Sequence, residues 1–170
     1  RVFDMADSIQ MHGQNKLQEF MRRVVDRVED PSGLWQDISD ILEFNVQQRI
    51  RTGIGTDDKP WKKSWRAKIQ GGQTLRDTGR LHNSIIAKVQ GNTISVGTNV
   101  KYAPILHFGG TIKPKSGKYL TFKTPTGGWV KVNAVYIPPR PFMGISVDDS
   151  QEILFEIEEY LYKVLTDAKH

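Results

Sequence analysis

Tyr102-Ala103-Pro104-Ile105-Leu106-His107-Phe108-Gly109-Gly110 is a compact apolar segment closed by two glycines and followed by a long basic loop. Pro104 fits the first turn of a helix, where its missing N–H costs nothing, and the spacing predicts a short helix over residues 102–108. A single imidazole is present, with no cysteine or carboxylate close to it in sequence. The segment therefore reads as a brace. Its side chains are expected to dock on a sheet, and Gly109-Gly110 to end the helix and launch a loop containing Lys113, Lys115 and Lys118 toward a neighbour.

On either side lie hairpins. Upstream, Ser84-Ile85-Ile86-Ala87-Lys88-Val89-Gln90 and Thr93-Ile94-Ser95-Val96-Gly97 flank the tight-turn dipeptide Gly91-Asn92, which makes Ile86, Val89, Ile94 and Val96 the expected sheet-core residues. A helical turn precedes them, with Asp77 or Thr78 as cap and Leu81 and Ile85 as its apolar face. Downstream, Tyr119-Leu120-Thr121-Phe122-Lys123 and Trp129-Val130-Lys131-Val132 enclose the turn Thr124-Pro125-Thr126-Gly127-Gly128, whose tip should project into solvent or a partner. Ala134-Val135-Tyr136-Ile137 then leads into Pro138-Pro139-Arg140-Pro141, where three prolines exclude a central strand and make a stiff, extended turn.

The ends are helical. Leu17, Phe20, Met21, Val24, Val25 and Val28 share one face of a first helix over residues 14–28, whose polar face carries Arg22, Arg23, Asp26, Arg27 and Glu29 and which stops at Asp30-Pro31-Ser32-Gly33. Leu34, Ile38, Ile41, Leu42, Val46 and Ile50 share one face of a second, ended by Gly53, and the short connector favours an antiparallel helical hairpin. Near the C-terminus Asp148-Asp149-Ser150 supplies a helix start; Ile153, Leu154, Ile157, Leu161, Val164 and Leu165 form the apolar face, while Glu152, Glu156, Glu158 and Glu159 stay wet. The fold class is α+β: an antiparallel sheet of two hairpins plus an additional strand, packed against an N-terminal helical hairpin and a C-terminal helix. With 170 residues, 38% of them hydrophobic, the chain reads as one domain, divided into a helical hairpin at 5–53, a basic β-rich core at 54–147 and a C-terminal helix at 148–168.

Cysteine is absent, which excludes disulfide and thiolate chemistry. No apolar run has a membrane-spanning length of about 18 to 20 residues, and no signal segment is visible, so a soluble, non-exported protein is expected. Met5-Ala6-Asp7 reads as a natural start, with residues 1–4 as an upstream remnant. The formal charge of +5 is unevenly spread: between Thr78 and Val147 there are nine lysines and arginines and no carboxylate, so the flanks are net acidic. Such a block suits nucleic acid or an acidic protein, or else forms the solvated faces of strands.

Trp61-Lys62-Lys63-Ser64-Trp65-Arg66 interleaves tryptophans with cations after the turn-rich linker at 54–60. Either the rings stack on bases while the cations meet phosphates, or the rings anchor the segment and the lysines stay in water. Lys62, Lys63, Arg66, Lys123 and Lys131 are thus candidate contacts to DNA or an acidic partner. The four histidines, His12, His82, His107 and His170, are scattered, and no phosphate-cradling loop, nucleophile elbow or dinucleotide fingerprint occurs. Asp57 and Asp58 are adjacent carboxylates in a loop. A hydrolase site near His107 and Tyr102 has no further support, and no catalytic, cofactor or metal residue is assigned.

Taken in order, Leu75-Arg76-Asp77-Thr78-Gly79-Arg80-Leu81, Ser84-Ile85, Val96-Gly97-Thr98, Tyr102-Ala103, His107-Phe108-Gly109-Gly110 and Ile137-Pro138-Pro139-Arg140-Pro141-Phe142-Met143-Gly144 resemble the phage virion morphogenesis family. The resemblance runs from about Trp61 to Gly144. It implies a non-enzymatic protein of the head–tail connector or tail end that completes the tail, has no catalytic residues and binds no cofactor. The implied partners are further copies of itself in a ring, hexameric as a six-fold tail tube demands, the tail tube and neck proteins, and DNA passing the lumen. Candidate contacts are Lys113, Lys115 and Lys118 in the basic loop, Thr124 and Gly127 at the hairpin tip, and Pro138 and Arg140 in the proline turn. The alternative is a nucleic-acid-binding protein acting through Trp61 and Trp65.

Overall fold

The computed structural model describes residues 31–167 of the chain, so the helix expected at 14–28 lies outside the described residues. The architecture is α+β. In chain order the elements are α1 (Ser32–Thr52), α2 (Trp65–Ile69), α3 (Arg80–Asn83), β1 (Ile86–Gln90), β2 (Thr93–Gly97), α4 (Ala103–Phe108), β3 (Gly110–Ile112), β4 (Leu120–Lys123), β5 (Trp129–Val132), β6 (Val135–Ile137) and α5 (Val147–Asp167). Both expected hairpins form, β1 with β2 and β4 with β5, and the additional strand β6 pairs antiparallel with β3. The strands do not merge into one sheet: they make three separate two-stranded ladders. Gly110 is thus the first residue of a strand, and the loop that it was expected to open begins after Ile112.

Two compact units result. The first contains the described residues up to 47, with 85–98 and those from 143 onward. Leu34, Ile38, Leu42 and Val46 of α1 are buried as their spacing requires, and Trp35 joins them. α1 meets the free edge of β1 through two side chains. The Glu43 carboxylate accepts the Ala87 N–H at 2.6 Å, and the Gln47 amide donates to the Ile85 carbonyl at 3.4 Å. These bonds occupy backbone groups that an edge strand would otherwise leave open.

The register of β1 and β2 corrects one expectation. Ala87 pairs with Val96 and Val89 with Ile94, so these four side chains share the inner face. Ile86, opposite Gly97, points outward and is exposed. Alternation places Ile85 and Ile86 on opposite faces, and Ile85 is the buried one.

α5 begins with a capping box rather than at Asp148. The Ser146 hydroxyl accepts the Asp149 N–H at 3.1 Å, and the Asp149 carboxylate accepts the Ser146 N–H at 2.7 Å. Asn45 of α1 donates to the same carboxylate at 2.9 Å, which ties the start of α5 to α1. Ile153 and Ile157 are buried, whereas Leu154, assigned to the same apolar face from its spacing, is exposed together with Phe155.

The second unit contains residues 48–84 and 99–142. Gly53, at φ +80°, ends α1 in the left-handed conformation, its N–H donating to the Arg49 carbonyl. The linker that follows is an ordered loop, closed by hydrogen bonds from Gly55 N to the Lys59 carbonyl and from Trp61 N to the Gly53 carbonyl. Ser64 caps α2, its hydroxyl accepting the Ala67 N–H. α4 forms as its sequence predicts, with Pro104 in the first turn and Ala103 and His107 buried.

Gly109 then turns the chain at φ +71°, ψ 180°, a conformation open essentially to glycine alone. A Cβ at this position would stand 2.7 Å from Pro139 N and 2.9 Å from the Ile137 carbonyl oxygen. Gly109→Ala combines strained backbone with overpacking, each worth about 1–3 kcal/mol, so a loss of roughly 2–5 kcal/mol in urea unfolding is expected. Glu43→Ala leaves a partly buried N–H without its acceptor and should lower the urea midpoint by the equivalent of about 1–3 kcal/mol, while Glu43→Gln, which keeps an acceptor, should cost less.

Candidate interaction surfaces

His107 and Arg140 are the two groups in the second unit whose chemistry invites a functional reading, and both face inward. The Phe142 N–H donates to His107 Nδ1 at 3.3 Å, so that nitrogen acts as acceptor and the ring is neutral with its proton on Nε2. The imidazole meets the Phe142 ring edge-on, with centroids 5.1 Å apart, and the Phe108 ring at 4.5 Å. Burial pushes its pKa below the usual histidine value. A base already engaged by a main-chain donor between two phenyl rings is a packing residue.

Arg140 is 5% exposed. Its N–H is shared by the carbonyls of Leu106 (3.0 Å) and His107 (3.2 Å), and its guanidinium donates to the carbonyls of Lys62 and Pro138. Burial also lowers its pKa from the ordinary arginine value. Thr124 is likewise buried, its hydroxyl 2.9 Å from that of Thr126. These two residues, expected at a partner contact, turn inward because backbone carbonyls and the turn itself claim their polar groups.

The remaining candidates divide by exposure. Lys113, Lys115, Lys118 and Gly127 are exposed, and Pro138 is half-buried. Lys118 holds its ammonium 5.5 Å from the centre of the Tyr119 ring, a cation–π contact. The hairpin turn is less free than its composition indicates, because Gln70 donates to the Pro125 carbonyl at 3.0 Å and secures its base.

In the tryptophan-rich segment, Lys62 and Lys63 are exposed, whereas Arg66 bonds the carbonyls of Gln73 and Arg76 and pairs with Asp77 at 3.5 Å. Trp61 is half-buried, with its indole nitrogen enclosed, and Trp65 is half exposed. Anchoring thus describes Trp61.

The outward face of the β4–β5 hairpin is the patch whose make-up the sequence left unread. Register pairs Lys123 with Trp129 and Thr121 with Lys131, and all four are exposed, Trp129 at 72%. Their alternate neighbours Leu120, Phe122, Val130 and Val132 face the other way and are half-buried. Strand alternation was the available signal, since Trp129 and Lys131 stand two residues apart on one strand, as do Thr121 and Lys123 on the other, and each pair must share a face.

A groove of about 240 Å³ is lined by Arg66, Asp77, Arg80 and Tyr102 among others. It holds no nucleophile paired with a base. Among the described residues there is no group of three or more histidine, cysteine or carboxylate side chains able to hold a metal ion, and no helix is long and apolar enough to cross a membrane.

Stability should follow the state of His107. A histidine whose pKa is lowered on folding favours the unfolded chain as pH falls, so its contribution is intact above the unfolded value of about 6.5 and is lost as pH drops toward the folded one. Melting midpoints measured across this range should fall less in His107→Gln than in the wild type. His107→Ala should cost about 2–4 kcal/mol at neutral pH through lost packing and an unpaired N–H.

Comparison with known proteins agrees with the order of motifs. The sequence profile of the phage virion morphogenesis family matches residues 13–162. A curated relative, the "Mu-like prophage FluMu G protein 2" of Haemophilus influenzae, is 29% identical over 153 residues, covering 89% of this chain and 94% of its own length. No solved structure matches. The match extends well past the motif-bearing segment into both helical flanks, and the chain belongs to the phage virion morphogenesis family.

Proposed function

We infer that the chain is a non-enzymatic structural subunit of the phage tail or neck. Copies of it close into a ring, hexameric to match a six-fold tail tube, that completes the tail and joins it to the head. The observation carrying this reading is the division between inside and outside. His107 and Arg140 are spent on internal hydrogen bonds, while Trp129, Lys123 and Lys131 stand outward on the β4–β5 hairpin. A ring subunit needs this combination of a fixed body and projecting, complementary surfaces, because heterologous contacts close only if their geometry repeats. Membership in the family supports the virion role, and the basic block between Thr78 and Val147 supports an approach to DNA in the lumen.

The test is the mass and symmetry of the purified chain, alone and mixed with tails, by light scattering and electron microscopy. A ring of fixed copy number at the end of the tail is expected, and lysates lacking the protein should hold unjoined heads and tails. A chain that stays monomeric at every concentration and on tails would overturn the reading.

A further inference from the structure

Two exposed surfaces have matching chemistry. On the β4–β5 hairpin, Trp129 stands beside Lys123 and Lys131, in a stretch of chain free of carboxylates. On α5, the exposed apolar residues Val147, Leu154, Phe155 and Tyr162 are spaced by seven, eight and fifteen, which places them on one stripe of the helix. Glu158 lies within that stripe, and Asp148 and Glu159 run along its edge, all three exposed. One surface is an aromatic ring between cations, and the other is an apolar strip edged with carboxylates. Each lacks what the other supplies.

We propose that the hairpin face of one copy docks on the α5 stripe of the next, with Trp129 against Leu154 and Phe155, and Lys123 and Lys131 against Glu158 and Glu159. This inference rests on the ring reading above and assigns its interface. Since the two surfaces differ, the contact is heterologous and passes from copy to copy, as ring closure requires. Tryptophan is the side chain most often found at the energetic centre of an interface, and the flanking opposite charges set register and exclude hairpin-to-hairpin pairing.

The experiment uses charge reversal in the full chain. K123E/K131E gives a copy whose hairpin and helix are both acidic, and E158K/E159K gives one whose two surfaces are both basic. Each alone should self-associate about tenfold or more weakly than wild type in sedimentation, because like charges then face each other. An equimolar mixture should recover the wild-type mass, with the two variants alternating. Far-UV circular dichroism checks that both fold, which their exposed positions favour. Trp129→Ser supplies an uncharged second route to the same loss.

If wild type and both variants form the same oligomer, the ring stands but this interface is wrong. If wild type never associates, alone or with tails, the ring reading falls and takes the interface with it. Should K123E/K131E keep its mass yet lose salt-sensitive DNA binding, the hairpin serves nucleic acid, and the proposal is overturned. It is overturned too if E158K/E159K changes the melting midpoint but not the mass, which would mean that these carboxylates serve a contact within one chain.

Discussion

The geometry of the second unit depends on one closure of the backbone. In Pro138-Pro139-Arg140-Pro141 only Arg140 has a main-chain N–H, and it is directed at the carbonyls of Leu106 and His107. These carbonyls lie at the C-terminal end of α4, where a helix runs out of internal donors. A remote strap therefore caps the helix. The approach is close enough that position 109 admits no Cβ, and the next strand, β3, is laid directly against β6, which leads into the strap. His107 fastens the same junction two residues further on by accepting the Phe142 N–H. Loss of any one contact frees the others, because each fixes the same short loop.

That closure explains how a segment rich in glycine, proline and cations becomes a scaffold. Its polar groups are consumed by internal carbonyls: Arg140 holds Lys62 and Pro138, and Arg66 holds Gln73 and Arg76. What remains on the outside is a small set of lysines and a few large apolar rings. Such a surface offers cations and apolar rings for contacts with other molecules.

Periodicity made the regular elements legible. The face of α1 from Leu34 to Ile50, both hairpins, the short α4 and the helix at the C-terminus all follow from spacing and turn residues. Four features escaped. The β3–β6 pair joins strands separated by a whole hairpin, and nothing local in Gly110-Thr111-Ile112 announces a partner that far along the chain. Ile86 and Val89 are three residues apart and cannot both face inward in a regular strand; the register with β2 and the burial of Ile85 set the phase that turns Ile86 out. Thr124 and Arg140 belong to a hairpin tip and a stiff proline turn expected to meet a neighbour, and the acceptors that draw them inward lie in other segments or depend on the closed turn. The hairpin face was overlooked for a different reason: its lysines were counted along the chain as charge, not set beside Trp129 by register.

The separate ladders also leave strand edges for the chain to protect. A lone pair of strands has two open edges, and an open edge is a template for any extended chain that passes. β4 and β5 are four residues each and carry Lys123 and Lys131, the short length and positive charge that discourage unplanned strand pairing. On this view the lysines act as gatekeepers, guarding the open edges of a short hairpin against stray strand pairing.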